Sequence, residues 1–126
     1  MNNKIKIIIA DDDFAVCDSL ERYLKQFNDV EILGIANTDE DEIKLIETLK
    51  PEIVVSDLVR NHKYTGLEII KKYNKKGNGP KFLVISADKQ EDFIQEGVKF
   101  DGFIQKPCCN FNEIINLIRK IKENSY

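Results

Sequence analysis

The feature that most constrains the fold of this chain is a short apolar run that ends in three consecutive acids. Residues 7–10 read Ile-Ile-Ile-Ala, and Asp11, Asp12 and Asp13 follow directly. A continuous run with β-branched residues is typical of a strand buried on both faces of a parallel sheet. Ionised carboxylates do not share that burial, because removing each one from water costs several kcal/mol unless it is compensated. We therefore predict that the acids lie at the carboxyl end of the strand, where open α/β sheets bind their ligands.

These acids admit two interpretations. Adjacent carboxylates repel one another, and a hard divalent cation such as Mg²⁺ would offset that repulsion, bound through one or two carboxylates with water and phosphate oxygens. In the other interpretation they form an acidic turn before the next helix, because negative charge stabilises a helix N-terminus.

Composition excludes several classes of protein. The 126 residues are 42% hydrophobic and 33% charged, which is typical of a folded globular protein of one domain. The net charge of −3 argues against a nucleic-acid-binding surface, which needs a clustered excess of Lys and Arg. No apolar run approaches the roughly 20 residues of a membrane span. The three cysteines (Cys17, Cys108 and Cys109) lack metal-site spacing, so we expect a reducing, cytoplasmic location.

Hydrophobic periodicity predicts five strands that alternate with helices. The predicted strands are residues 7–10, 30–35, 53–56, 82–85 and 102–105. Helices are predicted over 14–27, after Thr38, from Gly66, over about 90–98 with a weak pattern, and after Asn110. This alternation predicts a doubly wound parallel sheet with right-handed crossovers.

The residues that end four of these strands have complementary chemistry. They are Asp11 with Asp12, Asp57, Ser86 and Lys106. We expect them to converge, because like-handed crossovers bring the carboxyl ends of all strands to one edge. Three carboxylates can hold Mg²⁺, while a lysine and a serine hydroxyl can bind phosphate oxygens. A carboxylate beside a metal and a lysine is suited to attack phosphorus, so the set predicts a site that forms or holds an aspartyl phosphate.

Four segments, in order along the chain, resemble the receiver domain of bacterial two-component response regulators, of the chemotaxis-regulator type. They read IIIADD at residues 7–12, VVSD at 54–57, VISA at 84–87 and FIQKP at 103–107. The resemblance covers nearly the whole chain. It implies a single flavodoxin-like (βα)5 domain over residues 1–126, with strand order 2-1-3-4-5 and no output domain in this chain.

The resemblance also implies the ligands of a phosphorylation site. Asp57 is the expected phosphoacceptor. Mg²⁺ would be bound by Asp11, Asp12, Asp57 and the backbone carbonyl of Val59. Asp13 stands one place after the acid pair, and we expect it to cap the following helix.

Three further residues acquire roles from the same resemblance. Ser86 would contact the phosphoryl group, and Lys106 would pair with it. Phe103 would be the aromatic switch residue that turns inward when Ser86 moves toward the phosphate, although an aromatic side chain on a strand is also an ordinary core residue.

The implied partners follow from this chemistry. A sensor histidine kinase would donate the phosphoryl group from a phosphohistidine, and an output domain or downstream effector would receive the signal, with dimerisation on phosphorylation. We expect no direct binding to nucleic acid or membranes. We also expect no enzyme activity other than the chain's own phosphorylation and dephosphorylation.

Two alternatives stay open at this point. In a haloacid-dehalogenase-like phosphatase, Asp11 and Asp13 would be nucleophile and acid. A pseudo-receiver would act as a phosphate-independent interaction module.

The sequence departs from the family pattern in four places. The loop after Asp57 lacks the usual proline and is one residue longer, and the segment from Ser86 to Lys106 is about two residues short, which predicts a truncated fourth helix. Val59 has no polar atom in its side chain to bind a hydrolytic water. Cys108 and Cys109 form a vicinal pair, for which redox sensitivity and plain packing are both considered.

Overall fold

Five strands pair in parallel in one sheet. The structure is a computed structural model that describes residues 4–106 and 111–124. The strands are β1 (Ile5–Ala10), β2 (Val30–Ala36), β3 (Ile53–Ser56), β4 (Lys81–Ser86) and β5 (Gly102–Gln105). They lie in the order β2-β1-β3-β4-β5, as predicted.

Within the described residues, four α-helices and one 3₁₀ segment connect or follow the strands. They are α1 (Phe14–Leu24), α2 (Asp39–Leu49), α3 (Thr65–Lys76), the 3₁₀ segment Gln90–Glu96 and α4 (Asn112–Glu123). Among the described residues no helix is long and apolar enough to cross a membrane.

Alternation along β1, an interior strand of the sheet, shows how the helices cover its two faces. Ile7 and Ile9 of β1 point into a core that α1 and α4 cover. Ile8 and Ala10 point into the opposite core, which α2, α3 and Phe93 of the 3₁₀ segment cover. All four β1 residues are fully buried, as a strand in the middle of a parallel sheet requires.

The predicted elements differ from the structure mainly at their ends. The first helix ends at Leu24 rather than residue 27, although the ring of Phe27 still packs edge-on against Tyr23, with centroids 5.2 Å apart. Leu49, the last residue of α2, is exposed.

The segment between β4 and β5 is 3₁₀ rather than α-helical. This confirms the predicted truncation of the fourth helix. The predicted cap Asn110 lies outside the described residues.

Candidate functional site

Three carboxylates meet at the carboxyl edge of the sheet, where β1 and β3 end side by side. Asp11 and Asp12 follow β1, Asp57 follows β3, and one carboxylate oxygen of each lies within 4.8 Å of the others. From β1 the chain passes to β2 on one side, and from β2 it returns past β1 to β3 on the other side. The order of the strands therefore reverses between β1 and β3. This is the switch point at which open α/β sheets bind ligands.

A lysine faces these carboxylates. Lys106 Nζ lies 3.4 Å from Asp57 Oδ2 and 3.8 Å from Asp11 Oδ2. The backbone N–H of Lys106 donates to the carbonyl of Ser86 over 2.7 Å, so the pairing of β4 with β5 extends to the lysine and directs it toward the acids.

Asp11 is the most buried of the three acids, with 5% of its surface exposed. Burial raises the pKa of Asp11 to about 6. The hydrogen bond from the N–H of Asp13 and the positive charge of Lys106 lower this pKa, while the negative charges of Asp57 and Asp12 raise it further. The site therefore holds more negative charge than its lysine offsets. Hard oxygen donors in this arrangement fit a divalent cation such as Mg²⁺.

Asp13 has a different role from its two neighbours. Its carboxylate accepts hydrogen bonds from the N–H groups of Ala15 over 2.9 Å and Val16 over 3.3 Å. This is the geometry of an N-cap, which confirms the prediction for Asp13 and directs its carboxylate to the N-terminus of α1.

Ser86 and Phe103 lie near this edge on β4 and β5. Ser86 is fully buried, and its hydroxyl oxygen accepts the N–H of Asp88 over 3.1 Å. Phe103 is half-buried against Phe100 and Phe93, with ring centroids 5.5 and 6.4 Å away. The ring of Phe103 thus belongs to an aromatic cluster beside the 3₁₀ segment.

The loop after Asp57 forms a tight hairpin turn. Arg60 and Lys63 exchange backbone hydrogen bonds of 2.8 and 3.0 Å. Asn61 and His62 between them have positive φ angles of 52° and 63°, as a two-residue type I′ turn requires. The N–H of Asn61 donates to Asp12 Oδ2 over 2.9 Å, so this turn helps to fix Asp12. The side chain of His62 is exposed, as a solvated residue would be.

Two residues that the sequence did not single out for this site hold the backbone of Asp11. Asn37 Nδ2 donates to the Asp11 carbonyl over 2.9 Å, and Cys17 Sγ donates to it over 3.3 Å. Burial, with the nearby charge of Asp11, raises the pKa of Cys17 to about 11, so the thiol stays protonated and able to donate. Cys17 is buried in α1, whereas Cys108 and Cys109 lie outside the described residues.

Arg60 and Glu42 also went unrecognised in the sequence. Both are buried, and the guanidinium of Arg60 pairs with Glu42 of α2 while also contacting the backbone of Asp57. One signal was available. Glu42 lies one helical turn before Ile46, on the stripe of α2 that faces the core, and a carboxylate there requires a buried cation.

The comparisons with known proteins agree on one family. Residues 7–119 match the family model of the response regulator receiver domain. The receiver domain of the Francisella response regulator 1452 superposes with a TM-score of 0.84 at 20% identity, covering 98% of this chain and all of that one.

Two further similar structures are of proteins that bind DNA. A DNA-binding response regulator of the LuxR family from Staphylococcus aureus gives a TM-score of 0.80 at 25% identity, covering 93% of this chain and 98% of that one. RcsB from Salmonella enterica serovar Typhimurium, bound to a promoter with the phosphomimetic BeF₃⁻, gives 0.81 at 18% identity and covers 97% of this chain and 62% of that one.

Proposed function

This chain belongs to the response regulator receiver domain family, and from that premise we propose that it is a phosphorylation-dependent switch whose acceptor is Asp57. The observation that carries the proposal is the contact of Asp57 with both halves of a charge-compensating site. Its carboxylate lies beside Asp11 and Asp12 on one side and 3.4 Å from Lys106 Nζ on the other.

The donor set fits Mg²⁺. Asp11, Asp12 and Asp57 would hold the ion, together with the backbone carbonyl of Val59. When bound, Mg²⁺ would neutralise negative charge on the phosphoryl oxygens and orient them. The raised pKa of Asp11 supports this assignment, because a cation relieves the same burial and repulsion that raise it.

Asp57 and Lys106 have separate roles in the transfer of the phosphoryl group. Asp57 attacks phosphorus in line and forms the acyl phosphate bond, while the donor leaves with the electron pair of the bond that breaks. Lys106 pairs with the phosphoryl oxygens. Phosphoryl transfer depends mainly on such positioning and charge compensation. We propose that this self-phosphorylation and its reversal by water are the only reactions the chain catalyses, and that a sensor kinase phosphohistidine is the physiological donor.

Ser86 and Phe103 would couple phosphorylation of Asp57 to a conformational change. The hydroxyl of Ser86 exchanges its bond with the Asp88 N–H for a phosphoryl oxygen, and the ring of Phe103 repacks within its aromatic cluster. This shifts the population of two conformations at the surface formed by the 3₁₀ segment, β5 and α4. An output domain, an effector or a second copy would read that surface. Two of the structurally similar proteins, the LuxR-family regulator and RcsB, bind DNA, which supports a transcriptional output.

The haloacid-dehalogenase alternative does not agree with the family or with Asp13. The carboxylate of Asp13 caps α1 and is not among the three clustered acids.

The test is intact mass after incubation with acetyl phosphate, with and without Mg²⁺. We expect one Mg²⁺-dependent phosphoryl adduct, absent from Asp57→Asn and retained in Asp13→Asn, since asparagine also caps helices. An adduct that persists in Asp57→Asn would contradict the assignment. No adduct in the wild type, from acetyl phosphate or from kinases, would favour the pseudo-receiver.

A further inference from the structure

Arg60 lies beneath the acidic site and joins three parts of the fold. Its NH2 donates to the carbonyl of Asp57 over 3.0 Å and to Ser56 Oγ over 2.9 Å, with a longer 3.4 Å contact to the Ala10 carbonyl. Its NH1 donates to Glu42, and to Asp39 over 2.9 Å. One guanidinium thus connects the ends of β1 and β3 to α2.

The backbone of Asp57 is held through both its N–H and its carbonyl. Its N–H donates to the Ala10 carbonyl over 3.0 Å, and its carbonyl accepts from Arg60. Ser56 Oγ also donates to that carbonyl over 3.2 Å while accepting from Arg60. The backbone that carries the Asp57 side chain is therefore anchored by a planar donor that is itself held in place by Glu42.

This pair is an inefficient way to stabilise a fold. Burial raises the pKa of Glu42, and the guanidinium of Arg60 opposes that rise. Glu42 Oε2 and Arg60 Nε are both buried without a hydrogen-bond partner in the described structure. Buried ion pairs are often replaced by apolar residues with no loss of stability, whereas removing one partner is costly. A contribution to the site would explain a pair that stability does not require.

Resting on the function proposed above, we propose that Arg60 is a positioning residue for phosphoryl transfer, which Glu42 holds in the orientation that fixes the backbone of Asp57. Arg60 touches neither the phosphoryl group nor the metal. It acts through the Asp57 carbonyl, and through the start of the loop that carries Val59. Arginine suits this task better than lysine, because its rigid fork donates in two directions at once.

The experiment replaces both partners together, so that no unpaired charge is left buried. Glu42→Met/Arg60→Met is compared with the wild type and with Asp29→Asn/Arg119→Met. The control pair is an arginine–carboxylate pair with two hydrogen bonds, of 2.8 and 3.1 Å, and it joins α4 to the residue before β2, at the opposite edge of the sheet. Arg60→Lys is the conservative variant.

Four quantities are measured: the maximal rate of phosphorylation by acetyl phosphate at saturating Mg²⁺, the Kd for Mg²⁺ alone, amide hydrogen exchange without Mg²⁺, and the midpoint of thermal unfolding. We expect the rate of Glu42→Met/Arg60→Met to fall about 10- to 100-fold, as a small misplacement of a reacting group causes. The midpoint of thermal unfolding should stay the same or rise. Exchange should accelerate at Asp57 and Val59 but not at β4, and the Kd for Mg²⁺ should change less than the rate.

Arg60→Lys should keep the rate low while preserving charge, and the control pair should leave it unchanged. The inference is overturned if the wild type is phosphorylated and Glu42→Met/Arg60→Met matches its rate, or if exchange accelerates equally throughout the sheet. A wild type that forms no adduct overturns the proposed function itself, and the inference with it.

Discussion

The ammonium of Lys106 lies 3.4 Å from Asp57 Oδ2, although the two residues are 49 positions apart in the chain. They meet because β5 and β3 flank β4, and all three strands end at the same edge of the sheet. The same lysine lies 3.8 Å from Asp11 Oδ2, so it is shared between two carboxylates.

Lys106→Met should affect metal binding and phosphorylation in opposite directions. Removing a cation beside the acids should tighten Mg²⁺ binding about tenfold, or about 1.4 kcal/mol, which is at the low end of the interaction between two unit charges about 4 Å apart near a protein surface. Phosphorylation by acetyl phosphate should slow about 100-fold, because a charge that stabilises the transferring group is lost. Titration with Mg²⁺ and the rate of adduct formation are measured on the same sample. Slower phosphorylation with weaker Mg²⁺ binding would contradict this account of Lys106.

Mg²⁺ binding should depend on pH through Asp11. Its pKa of about 6 in the metal-free protein means that the cation must compete with a proton below that pH. We expect the Kd for Mg²⁺ to rise about tenfold between pH 7 and pH 5, following one protonation. Asp11→Asn should bind Mg²⁺ more weakly and lose this step. If both proteins show the same pH dependence, the dependence does not come from Asp11.

The stability of the metal-free protein should also reflect Asp11, with a definite sign. Its folded-state pKa of about 6 lies above the ordinary value of 3.8, so the folded protein binds the proton more tightly than the unfolded chain. The contribution of Asp11 to stability is thus full below about pH 3.8 and is lost as the pH rises through 6. At pH 7 without Mg²⁺, Asp11→Asn should raise the melting temperature by a few degrees, a difference that Mg²⁺ added to the wild type should reduce. A lower melting temperature for Asp11→Asn would show that its carboxylate stabilises the fold.

Gly66→Ala should damage both the fold and the site. A Cβ at Gly66 would lie 2.2 Å from the Asp57 carbonyl oxygen and 3.0 Å from that of Leu58, and neither backbone atom can move aside without shifting the loop. We expect a loss of about 2 kcal/mol in unfolding free energy, as for other overpacked positions, and slower phosphorylation. Gly34→Ala is the control, because its Cβ would meet the mobile end of the Leu45 side chain at 3.2 Å. Equal losses in the two variants would argue against a special constraint at Gly66.

Val59→Asn should shorten the lifetime of the phosphorylated state. The Val59 N–H contacts Asp57 Oδ1 at 3.4 Å, which puts this residue beside the acceptor, but its own side chain offers no polar atom. An amide there can hydrogen-bond an attacking water, and we expect dephosphorylation to accelerate about tenfold, less than the roughly 10²- to 10⁴-fold of a general base, because an amide orients the water but does not take its proton. Val59→Leu should leave the rate near that of the wild type. Equal rates for all three proteins would contradict this expectation.

Much of the architecture could be predicted from local patterns. An apolar run bounded by acids specifies a buried strand and its exposed end, and α/β alternation leaves few topologies. The bounds of β3 and β5 agree with the predicted residues, and Thr38 caps α2 through the N–H of Asp41 at 3.1 Å. These features depend on neighbours in sequence, which is why the sequence reveals them. The roles given to Asp57, Ser86 and Phe103 stay predictions for the experiments above.

The sequence by itself determined the sheet, its edge and the acids that gather there, because strand ends and crossover handedness are set by local patterning. Only the tertiary structure decided that Arg60 pairs with Glu42 beneath Asp57, that Asn37 and Cys17 hold the Asp11 carbonyl, and that Asn61 and His62 make a turn whose N–H contacts Asp12. Except for the contact of Cys17 with Asp11, which lie six positions apart, these contacts join elements far apart in the chain. Their geometry depends on how helices pack on the sheet, and hydrophobic periodicity carries no information about which polar groups that packing brings together.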